Sequence, residues 1–399
     1  MARSPRTAQR CLSATRSRHS LAEQGGPRVN PPLPDLAAIC EAFPLRGNYV
    51  TGAPHGSGHI NATFAVDCDH NGTRVRYILQ RINARIFRDV PRLMDNISRV
   101  SAHVAAKLDQ STIRPPSQQA LTLVRTHRRE NFHRTADGDC WRAYVFIEGA
   151  STHDRVTSPQ LAYEIARAFG EFQRLLADLP GPRLHETIPQ FHDTRRRFRA
   201  FEDAVRSDCR ARVSSARPEI EFARRHESLS ELLLDLHARG DAPERITHND
   251  TKANNIMVDD ATGRAVCVID LDTVMPGLSL YDFGDMARSA TNAAAEDDPC
   301  ADKVRAQLPI FDALVAGYLA ATRSVLTPAE IAHLARAAQL ITFEIGMRFL
   351  TDYLEGDVYF KTAHPAHNLD RARNQFALLA SMEAQRDEME AIVRRHSAP

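Results

Sequence analysis

The sequence predicts an α+β fold with two lobes, in which a small antiparallel β-sheet lobe with one helix precedes a larger, mainly α-helical lobe. Three observations support this fold class. Short alternating apolar runs fill the first part of the chain, and amphipathic helical periodicity fills the part after about residue 158. A hairpin with polar residues at both open ends interrupts the helical part. The chain has 399 residues, which is enough for both lobes.

The first lobe is predicted from turn and strand signals. After a helix over 35–45, glycines cluster between two apolar runs, and Asn71-Gly72 separates "NATFAVD" from "RVRYILQRI". Asn-Gly between two such runs is a strong hairpin signal. A helix with apolar positions at helical spacing follows over 91–108, and then two strands, "LTLVRT" and "CWRAYVFIE". We therefore expect a sheet with one helix over residues 34–147.

The second lobe, residues 148–399, has a mainly helical pattern. Its hairpin consists of "NIMVDD", a turn at Ala261-Thr262-Gly263, and "AVCVID", with carboxylates at both open ends. The helices are predicted over 158–178, 192–207, 218–239, 301–323, 328–354 and 368–396.

Composition excludes several function classes. Hydrophobic residues make up 43% and charged residues 25% of the chain, and the formal net charge is +1. No apolar run approaches the ~18 residues of a membrane helix. The seven cysteines include no Cys-x-x-Cys pair, which favours reduced thiols and no zinc site. We therefore expect a cytoplasmic protein that does not bind membranes, and only the arginine-rich N-terminal segment suggests nucleic-acid binding. We also expect a monomer or a weak dimer.

Residues 1–33 form an arginine- and serine-rich segment with no acidic residue before Glu23. It lacks the apolar core of a secretory signal. We interpret it as a disordered tail, with a transit peptide as the alternative.

The strongest chemical signal is "THNDTKANN", where His248 and Asp250 are followed by Asn255. This spacing matches the H-x-D-x-x-x-x-N loop of phosphoryl-transfer enzymes. In such a loop the aspartate accepts the proton of the attacking hydroxyl, and the asparagine ligates magnesium. We therefore assign Asp250 and His248 to catalysis, and Lys252, inside the loop, to nucleotide binding.

Of the aspartates that follow the catalytic loop, Asp270 and Asp282 are the two candidates for the second metal ligand. Asp270 ends the second hairpin strand, 15 residues after Asn255, so its carboxylate should face the same point. Asp272 is expected as a further ligand or electrostatic partner. The triplet in "YDFGD" resembles the kinase Asp-Phe-Gly, but Asp282 lies 27 residues after Asn255, beyond the hairpin. We expect Asp282 to cap a helix and to brace the catalytic loop through its backbone.

The phosphate cradle is predicted at Gly56, Ser57 and Gly58, where glycines let backbone N–H groups approach phosphates. No G-x-x-x-x-G-K-[ST] is present, which excludes a P-loop enzyme. Further along, "FIEGA" (146–150) lies where the lobes join, so its backbone could pair with the adenine edge.

The cation on the phosphates is normally a lysine on the third strand, but no lysine precedes Lys107. Arg81 in "YILQRIN" is the candidate replacement, on the strand face of Leu79, with Asp95 as its acidic partner. Whether Arg81 or Gln80 points to the phosphates stays open.

These motifs resemble the aminoglycoside phosphotransferase and choline kinase group of small-molecule kinases. More narrowly, "DTVMPG" and "TFEIGMRFLTDYLEGDVYFK" are similar to bacterial N-acetylhexosamine 1-kinases. The resemblance covers roughly residues 45–380. It implies a bilobal protein-kinase-like fold, ATP and Mg²⁺ as cofactors, and phosphorylation of a sugar hydroxyl, in the narrow group the anomeric hydroxyl of GlcNAc or GalNAc.

The resemblance also implies particular site residues. Asp250 is the base, and Asn255 and Asp270 are the metal ligands. His59 and Asn61 lie in the nucleotide loop, and the C-terminal block contributes to the sugar pocket. Arg348 and Tyr359 are the substrate candidates, because a guanidinium and a phenol suit sugar hydroxyls and an acetamide carbonyl.

Two alternatives remain. A kinase of the same fold with an aminoglycoside, a choline-like alcohol or an amino alcohol as acceptor would need an acidic pocket, whereas "HDTRRRFR" at 192–199 is basic. A non-catalytic nucleotide-binding module would have no need of the complete Asp250, Asn255 and Asp270 set.

Overall fold

The first half of the chain forms one antiparallel sheet of six strands. The computed structural model describes residues 34–56, 60–108 and 116–398. The strand order is β1-β2-β3-β6-β4, and β5 pairs with β6. The strand bounds are β1 (Asn48–Pro54), β2 (Ala62–His70), β3 (Thr73–Arg81), β4 (Leu123–Val124), β5 (His133–Arg134) and β6 (Cys140–Val145).

The hairpin signal in the sequence is confirmed. β2 ends at His70 and β3 begins at Thr73, and Asn71 and Gly72 have φ values of 54° and 82°. Both turn residues thus adopt the left-handed conformation that asparagine and glycine tolerate best.

The predicted helix over 91–108 is confirmed as α2 (Val90–Lys107), whose N-cap Asp89 accepts a hydrogen bond from the Arg92 N–H. The helix predicted over 35–45 is shorter, α1 (Leu36–Cys40). The apolar face of α2 lies in a core that includes Phe172 and Val274 of the second lobe. This core joins the sheet lobe to the helical lobe.

The second half of the chain is mainly helical, as predicted. Contacts between α3 and α8, and of α10 with α7 and α11, account for most of its helix packing. Its helices are α3 (Pro159–Leu176), α4 (Thr194–Ser207), α5 (Arg217–Arg225), α6 (Leu232–Ala238), α7 (Ser279–Thr291), α8 (Leu308–Thr322), α9 (Pro328–Ala332), α10 (Leu334–Glu355), α11 (His367–Ala384) and α12 (Arg386–Ser397).

The helix predicted over 218–239 is wrong as a single element, because a 3-10 segment at Glu227–Glu231 separates α5 from α6. The Ser230 hydroxyl donates to the Glu227 carbonyl oxygen at 2.6 Å. Such local bonding competes with the helical ladder.

Short strands position the polar loops of the helical lobe. The predicted hairpin is confirmed as β9 (Ile256–Asp259) and β10 (Ala265–Val268), and β9 also pairs with β7 (Ala150–Ser151). A second pair, β8 (Arg245–Thr247) and β11 (Met275–Gly277), flanks it in sequence. The catalytic loop therefore starts at the end of β8, and the Asp270 turn follows β10. The division into lobes at residues 147 and 148 stays a prediction.

Candidate active site

The loop between β8 and β9 brings Asp250 and Asn255 together. The Asn255 side-chain N–H group donates to the Asp250 carbonyl oxygen at 2.8 Å and to its Oδ2 at 3.2 Å. Lys252 Nζ lies 2.9 Å from Asp250 Oδ1. Burial disfavours the charged carboxylate, but Lys252 outweighs this effect and holds the pKa of Asp250 below its usual range. Asp250 is therefore ionised at neutral pH, as a proton acceptor must be.

Asp282 on α7 accepts hydrogen bonds from the backbone of the catalytic loop. Its Oδ2 accepts hydrogen bonds from the His248 N–H at 2.9 Å and from the Gln173 amide at 2.6 Å. Its Oδ1 accepts from the Asn249 N–H at 2.7 Å. Asn249 has a φ of 65°, a left-handed conformation that these bonds help to fix.

The predicted bracing by Asp282 is thus confirmed, and the predicted helix cap is wrong. Helix α7 begins at Ser279, its N-cap is Leu278, and no side chain caps it. Asp285, one turn after Asp282, adds a bond from the Thr251 N–H at 2.9 Å. The acidic pair of "YDFGD" therefore supports the backbone of the loop.

The structure corrects the catalytic assignment of His248. The ring is fully buried, and its Nε2 lies 2.9 Å from the Ile269 carbonyl oxygen. Its Nδ1 accepts from the Asp250 N–H at 3.3 Å. Since both ring nitrogens are engaged and the rings of Phe169 and Phe172 pack against it, His248 positions the loop and does not reach a substrate.

Asp270 presents its carboxylate to the same point as Asn255. It follows β10 in a left-handed conformation with φ 56°, and the Ile269 N–H donates to the Asn255 carbonyl oxygen at 2.9 Å. Enclosure in the cleft, and then the negative charges of Asp272 and Asp250, raise the pKa of Asp270 to about 7. No residue in the described part of the chain donates a hydrogen bond to its carboxylate oxygens.

The structure corrects the metal-ligand assignment of Asp272, because other groups occupy its carboxylate. Its Oδ1 accepts a hydrogen bond from Arg142 Nη1 at 2.5 Å, and its Oδ2 accepts one from the Asn61 amide at 2.6 Å. The Arg142 guanidinium and the Asp272 carboxylate are both almost fully buried. Asp272 therefore joins the helical lobe to the sheet lobe.

Asn255 and Asp270 remain as the side chains that could hold a magnesium ion. Among residues 34–56, 60–108 and 116–398, no three or more His, Cys, Asp or Glu side chains are grouped to bind a metal. Mg²⁺ bound with a nucleotide commonly takes only one or two protein oxygens, with phosphates and water completing its shell. An amide oxygen and an unpartnered carboxylate among like charges fit that requirement.

A cleft, which we call the main cleft, lies between the sheet and this loop and encloses about 960 Å³ when the space open to solvent at its mouth is included. Asn255 and Asp270 line one side of it, and Gly56 lines the roof with a φ of 77°. Ser57, Gly58 and His59 lie outside the described residues. Other lining residues are Thr63, Ile78, Gln80, Leu121, Arg142, Tyr144, Val145, Phe146 and Ile147.

The structure corrects the assignment of Arg81 to the phosphates and of Asp95 as its partner. Arg81 is half exposed and pairs with Asp139 at 3.2 Å, while Asp95 lies near Arg99 and His185. Successive side chains of a strand point to opposite faces, so Arg81 lies on the face of β3 that is turned away from the cleft.

Gln80, one residue earlier on β3, faces the main cleft. Its Oε1 accepts from Arg142 Nε at 2.9 Å, and its amide donates to the Thr63 hydroxyl at 2.9 Å. The buried cation of the cleft is thus Arg142 of β6, which sequence reasoning missed. Its signal was an arginine inside the apolar run "CWRAYV".

Arg348 and Tyr359 come together near the catalytic loop. The Arg348 guanidinium carbon lies 5.1 Å from the centre of the Phe191 ring, 5.9 Å from that of Tyr359 and 5.7 Å from that of Phe360. Tyr359 is about half exposed, so its ring borders solvent.

Next to this cluster lies a buried hydrogen-bonded pair, Glu344 and His192, that sequence reasoning also missed. Glu344 is fully buried, and its carboxylate accepts hydrogen bonds from His192 Nδ1 at 2.8 Å and the Thr194 hydroxyl at 2.5 Å. His192 Nε2 lies 3.4 Å from the Asn249 carbonyl oxygen, which joins the pair to the catalytic loop. A glutamate within the apolar stretch "TFEIGM" was its signal.

In the part of the chain that the structure describes, no helix has the length and apolar character needed to cross a bilayer.

Known structures share the arrangement of both lobes. A choline kinase from Cryptosporidium parvum Iowa II is 14% identical, with a TM-score of 0.57 over 90% of this chain and 98% of that chain. An aminoglycoside phosphotransferase from Alicyclobacillus acidocaldarius is 16% identical, with a TM-score of 0.56 over 93% and 98%. A microcompartment-associated aminopropanol kinase is 15% identical, with a TM-score of 0.54 over 89% and 98%. At these identities the similarity shows the fold, which is protein-kinase-like.

The family follows from the sequence match. The model of the phosphotransferase enzyme family (APH) matches residues 51–332, which include the sheet, the catalytic loop and the Asp270 turn. The chain belongs to this family and is a phosphotransferase with a hydroxyl acceptor.

Proposed function

We propose that the protein is an ATP- and magnesium-dependent kinase that transfers the γ-phosphoryl group to a sugar hydroxyl. The most specific form of the proposal is transfer to the anomeric hydroxyl of an N-acetylhexosamine, GlcNAc or GalNAc.

One observation carries the proposal of a kinase. Asp250 is ionised and hydrogen-bonded to Asn255, and the Asn255 carbonyl oxygen pairs with the backbone just before Asp270. The proposed base thus lies beside Asn255, and the two proposed metal ligands, Asn255 and Asp270, line one cleft. A base and oxygen ligands for magnesium are among the few parts that phosphoryl transfer requires.

In this proposal each residue has a separate task. Asp250 accepts the proton of the acceptor hydroxyl through Oδ2, while Asn255 holds that carboxylate in place. Asn255 and Asp270 would hold Mg²⁺, which when bound neutralises charge on the nucleotide phosphates. Lys252 keeps Asp250 ionised and supplies a positive charge beside the attacked phosphorus. Gln80 of β3 and Arg142 of β6 form the polar wall of the cleft on the side of the sheet.

The acceptor assignment rests on the cluster formed by Arg348, Tyr359, Phe191 and Phe360. Its charged and phenolic groups suit the hydroxyls and the acetamide carbonyl of a sugar, and its rings suit the apolar face of a pyranose. The cluster borders the catalytic loop through His192 and Asn249.

A second candidate is a kinase of the same fold with a cationic acceptor, such as an aminoglycoside, choline or an amino alcohol. Proteins with such names share the fold. The charges of the cluster favour the neutral sugar instead, since Arg348 and its neighbour Arg197 are both cations. Like charges disfavour a cationic ligand.

The test is ADP release from Mg-ATP with GlcNAc, GalNAc, glucose, galactose, choline and kanamycin as acceptors. We expect turnover with the two N-acetylhexosamines, at least tenfold above the other four. Turnover with choline or kanamycin alone would replace the sugar assignment by the second candidate. Tight Mg-ATP binding without any turnover would favour a non-catalytic nucleotide-binding module or an acceptor outside the panel.

A further inference from the structure

The segment that joins β6 to β7 is bonded on one side by a single carboxamide. Gln118 Nε2 donates to the Phe146 carbonyl oxygen at 3.0 Å, and the Glu148 N–H donates to Gln118 Oε1 at 2.7 Å. One side chain thus satisfies an acceptor and a donor two residues apart, on the same side of the chain.

The side chains of this segment are held as well. Arg76 Nε donates to Glu148 Oε1 at 2.8 Å, and its guanidinium carbon lies 3.7 Å from the centre of the Phe146 ring. The Phe146 N–H donates to the Arg76 carbonyl oxygen at 3.2 Å. Arg76 and Gln118 together therefore fix the residues on both sides of Ile147.

Peptide geometry then determines where the polar groups of Ile147 point. In a trans peptide the C=O of one residue and the N–H of the next point in opposite directions, and the described peptides are all trans. Because the Phe146 C=O faces Gln118, the Ile147 N–H faces away from it. Because the Glu148 N–H faces Gln118, the Ile147 C=O also faces away.

Ile147 therefore presents a donor and an acceptor side by side. No residue in the described part of the chain bonds to either group, although Ile147 is only 6% exposed. Ile147 lines the main cleft, whereas Gln118 is not among the residues that line it. A buried, unpaired donor and acceptor that face a cleft require a ligand with the complementary pair.

An adenine base carries that pair, since its exocyclic amine donates next to a ring nitrogen that accepts. We propose that Gln118 is a positioning residue for the nucleotide base, and that it does so by orienting the backbone of Ile147 to pair with the adenine edge. This inference rests on the proposed use of ATP. The sequence predicts only that the backbone of "FIEGA" pairs with the adenine edge. The inference assigns this pairing to Ile147 alone, because the Phe146 C=O and the Glu148 N–H are bonded to Gln118.

The test compares two nucleotides that differ only at the base edge. Binding of ADP and of purine riboside 5′-diphosphate, which lacks the exocyclic amine, is measured by calorimetry with Mg²⁺. We expect the unmodified protein to bind ADP about five- to tenfold more tightly, the value of one buried hydrogen bond. In Gln118→Leu the preference should fall to within about twofold, because ADP alone binds more weakly.

A second variant and a control separate positioning from folding. Gln118→Glu keeps the acceptor for the Glu148 N–H but cannot donate to the Phe146 C=O, and we expect the same loss of preference. Gln385→Leu removes a carboxamide that bonds backbone groups far from the cleft, at Ala306 and Ser381, and should leave the preference unchanged.

An unchanged preference for ADP in the Gln118 variants would overturn the inference, whether the two affinities stay the same or fall by the same factor. A failure of the unmodified protein to bind ADP would contradict the proposed function itself, and is distinguishable because it precedes any substitution.

Discussion

Hydrogen-bond donors distinguish the carboxylates around the catalytic loop. Asp282 accepts two backbone N–H groups and one amide, and Asp272 is bonded by Arg142 and Asn61. The Asp270 carboxylate accepts no hydrogen bond from the described residues, and Asp270 lines the cleft. A carboxylate that is already satisfied has little to gain from a cation, so the free carboxylate is the metal ligand that we propose.

Substitution of Asp282 should therefore reduce stability, whereas substitution of Asp270 should reduce nucleotide binding. Asp282→Ala leaves buried N–H groups unpaired and should lower the free energy of unfolding by about 3 kcal/mol, as measured by urea titration. Asp270→Ala should leave stability within about 1 kcal/mol of the unmodified value and abolish magnesium-dependent nucleotide binding, measured by calorimetry. If the two results were exchanged, the assignment of the metal ligand would be wrong.

Glu344 should make the protein sensitive to acid. Burial disfavours its charge, but His192, Arg348 and the Thr194 hydroxyl hold its pKa at about 2, below the ordinary 4.5. Between these values the unfolded chain binds more protons than the folded one, so stability rises with pH. About 3 kcal/mol present above pH 4.5 should be lost as the pH falls toward 2.

The comparison is with Glu344→Gln, which does not titrate. Its free energy of unfolding, measured by urea titration from pH 5.5 to 2.5, should fall less steeply than that of the unmodified protein. Parallel curves for the two proteins would contradict this account of Glu344.

At the scale of elements, α7 combines two tasks in "YDFGD". Its acidic residues support the catalytic loop, and its glycine permits close packing on α10. A Cβ at Gly284 would lie 2.5 Å from Ile341 Cγ1 and 2.6 Å from the Ala337 carbonyl oxygen. The backbone carbonyl cannot yield as a flexible side chain would.

Gly284→Ala should therefore destabilise the protein by about 1–3 kcal/mol through overpacking, measured by thermal or urea unfolding. Gly72→Ala is the control, since its Cβ would meet no atom within 4 Å. Its left-handed φ alone should cost about 1 kcal/mol. Equal or greater loss at Gly72 would contradict the packing role of Gly284.

Sequence patterns predicted elements better than they predicted strand faces. The Asn-Gly turn, the helix α2 and the hairpin after the catalytic loop were found because each has a local signal. Arg81 was wrong because the apolar residues Tyr77 and Leu79 of β3 face a second core, with Trp141, outside the cleft. The other face of this strand, with Ile78 and Gln80, lines the main cleft. Because both faces carry apolar residues, the sequence pattern could not distinguish them.

The site residues that the sequence did not predict share one feature. Arg142, Glu344 and Gln118 make their hydrogen bonds to partners far away in sequence, and no spacing rule connects them. A charged residue inside an apolar run was the only local sign of the first two.

At the scale of the whole molecule, one buried ion pair connects the lobes. Arg142 belongs to the sheet lobe and Asp272 to the helical lobe, and their side chains are 1% and 4% exposed. Asn61 adds a second bond from the sheet lobe to the same carboxylate. Asp272 is two residues after Asp270. The position of the sheet lobe relative to Asp270 therefore depends on the bonds that Arg142 and Asn61 make to Asp272.

Arg142→Met should lower the free energy of unfolding by about 3–5 kcal/mol, because it leaves the buried charge of Asp272 without its cation. The double variant Arg142→Met/Asp272→Leu should lose less than the sum of the two single variants, since both remove one interaction. Arg81→Met, which breaks an exposed pair with Asp139, should cost at most about 1 kcal/mol. Additive losses in urea titrations would contradict the coupling.

In the reaction that we propose, Asp250 activates the anomeric hydroxyl of an N-acetylhexosamine for attack on ATP. The most direct measurement is ³¹P NMR of the products formed from GlcNAc and Mg-ATP by the unmodified protein and by Asp250→Asn, whose folding is checked by thermal unfolding. We predict an acid-labile C1 phosphate with the unmodified protein, and a rate lower by about 10²–10⁴ with the variant. A phosphate on another carbon, or equal rates for the two proteins, would contradict the account.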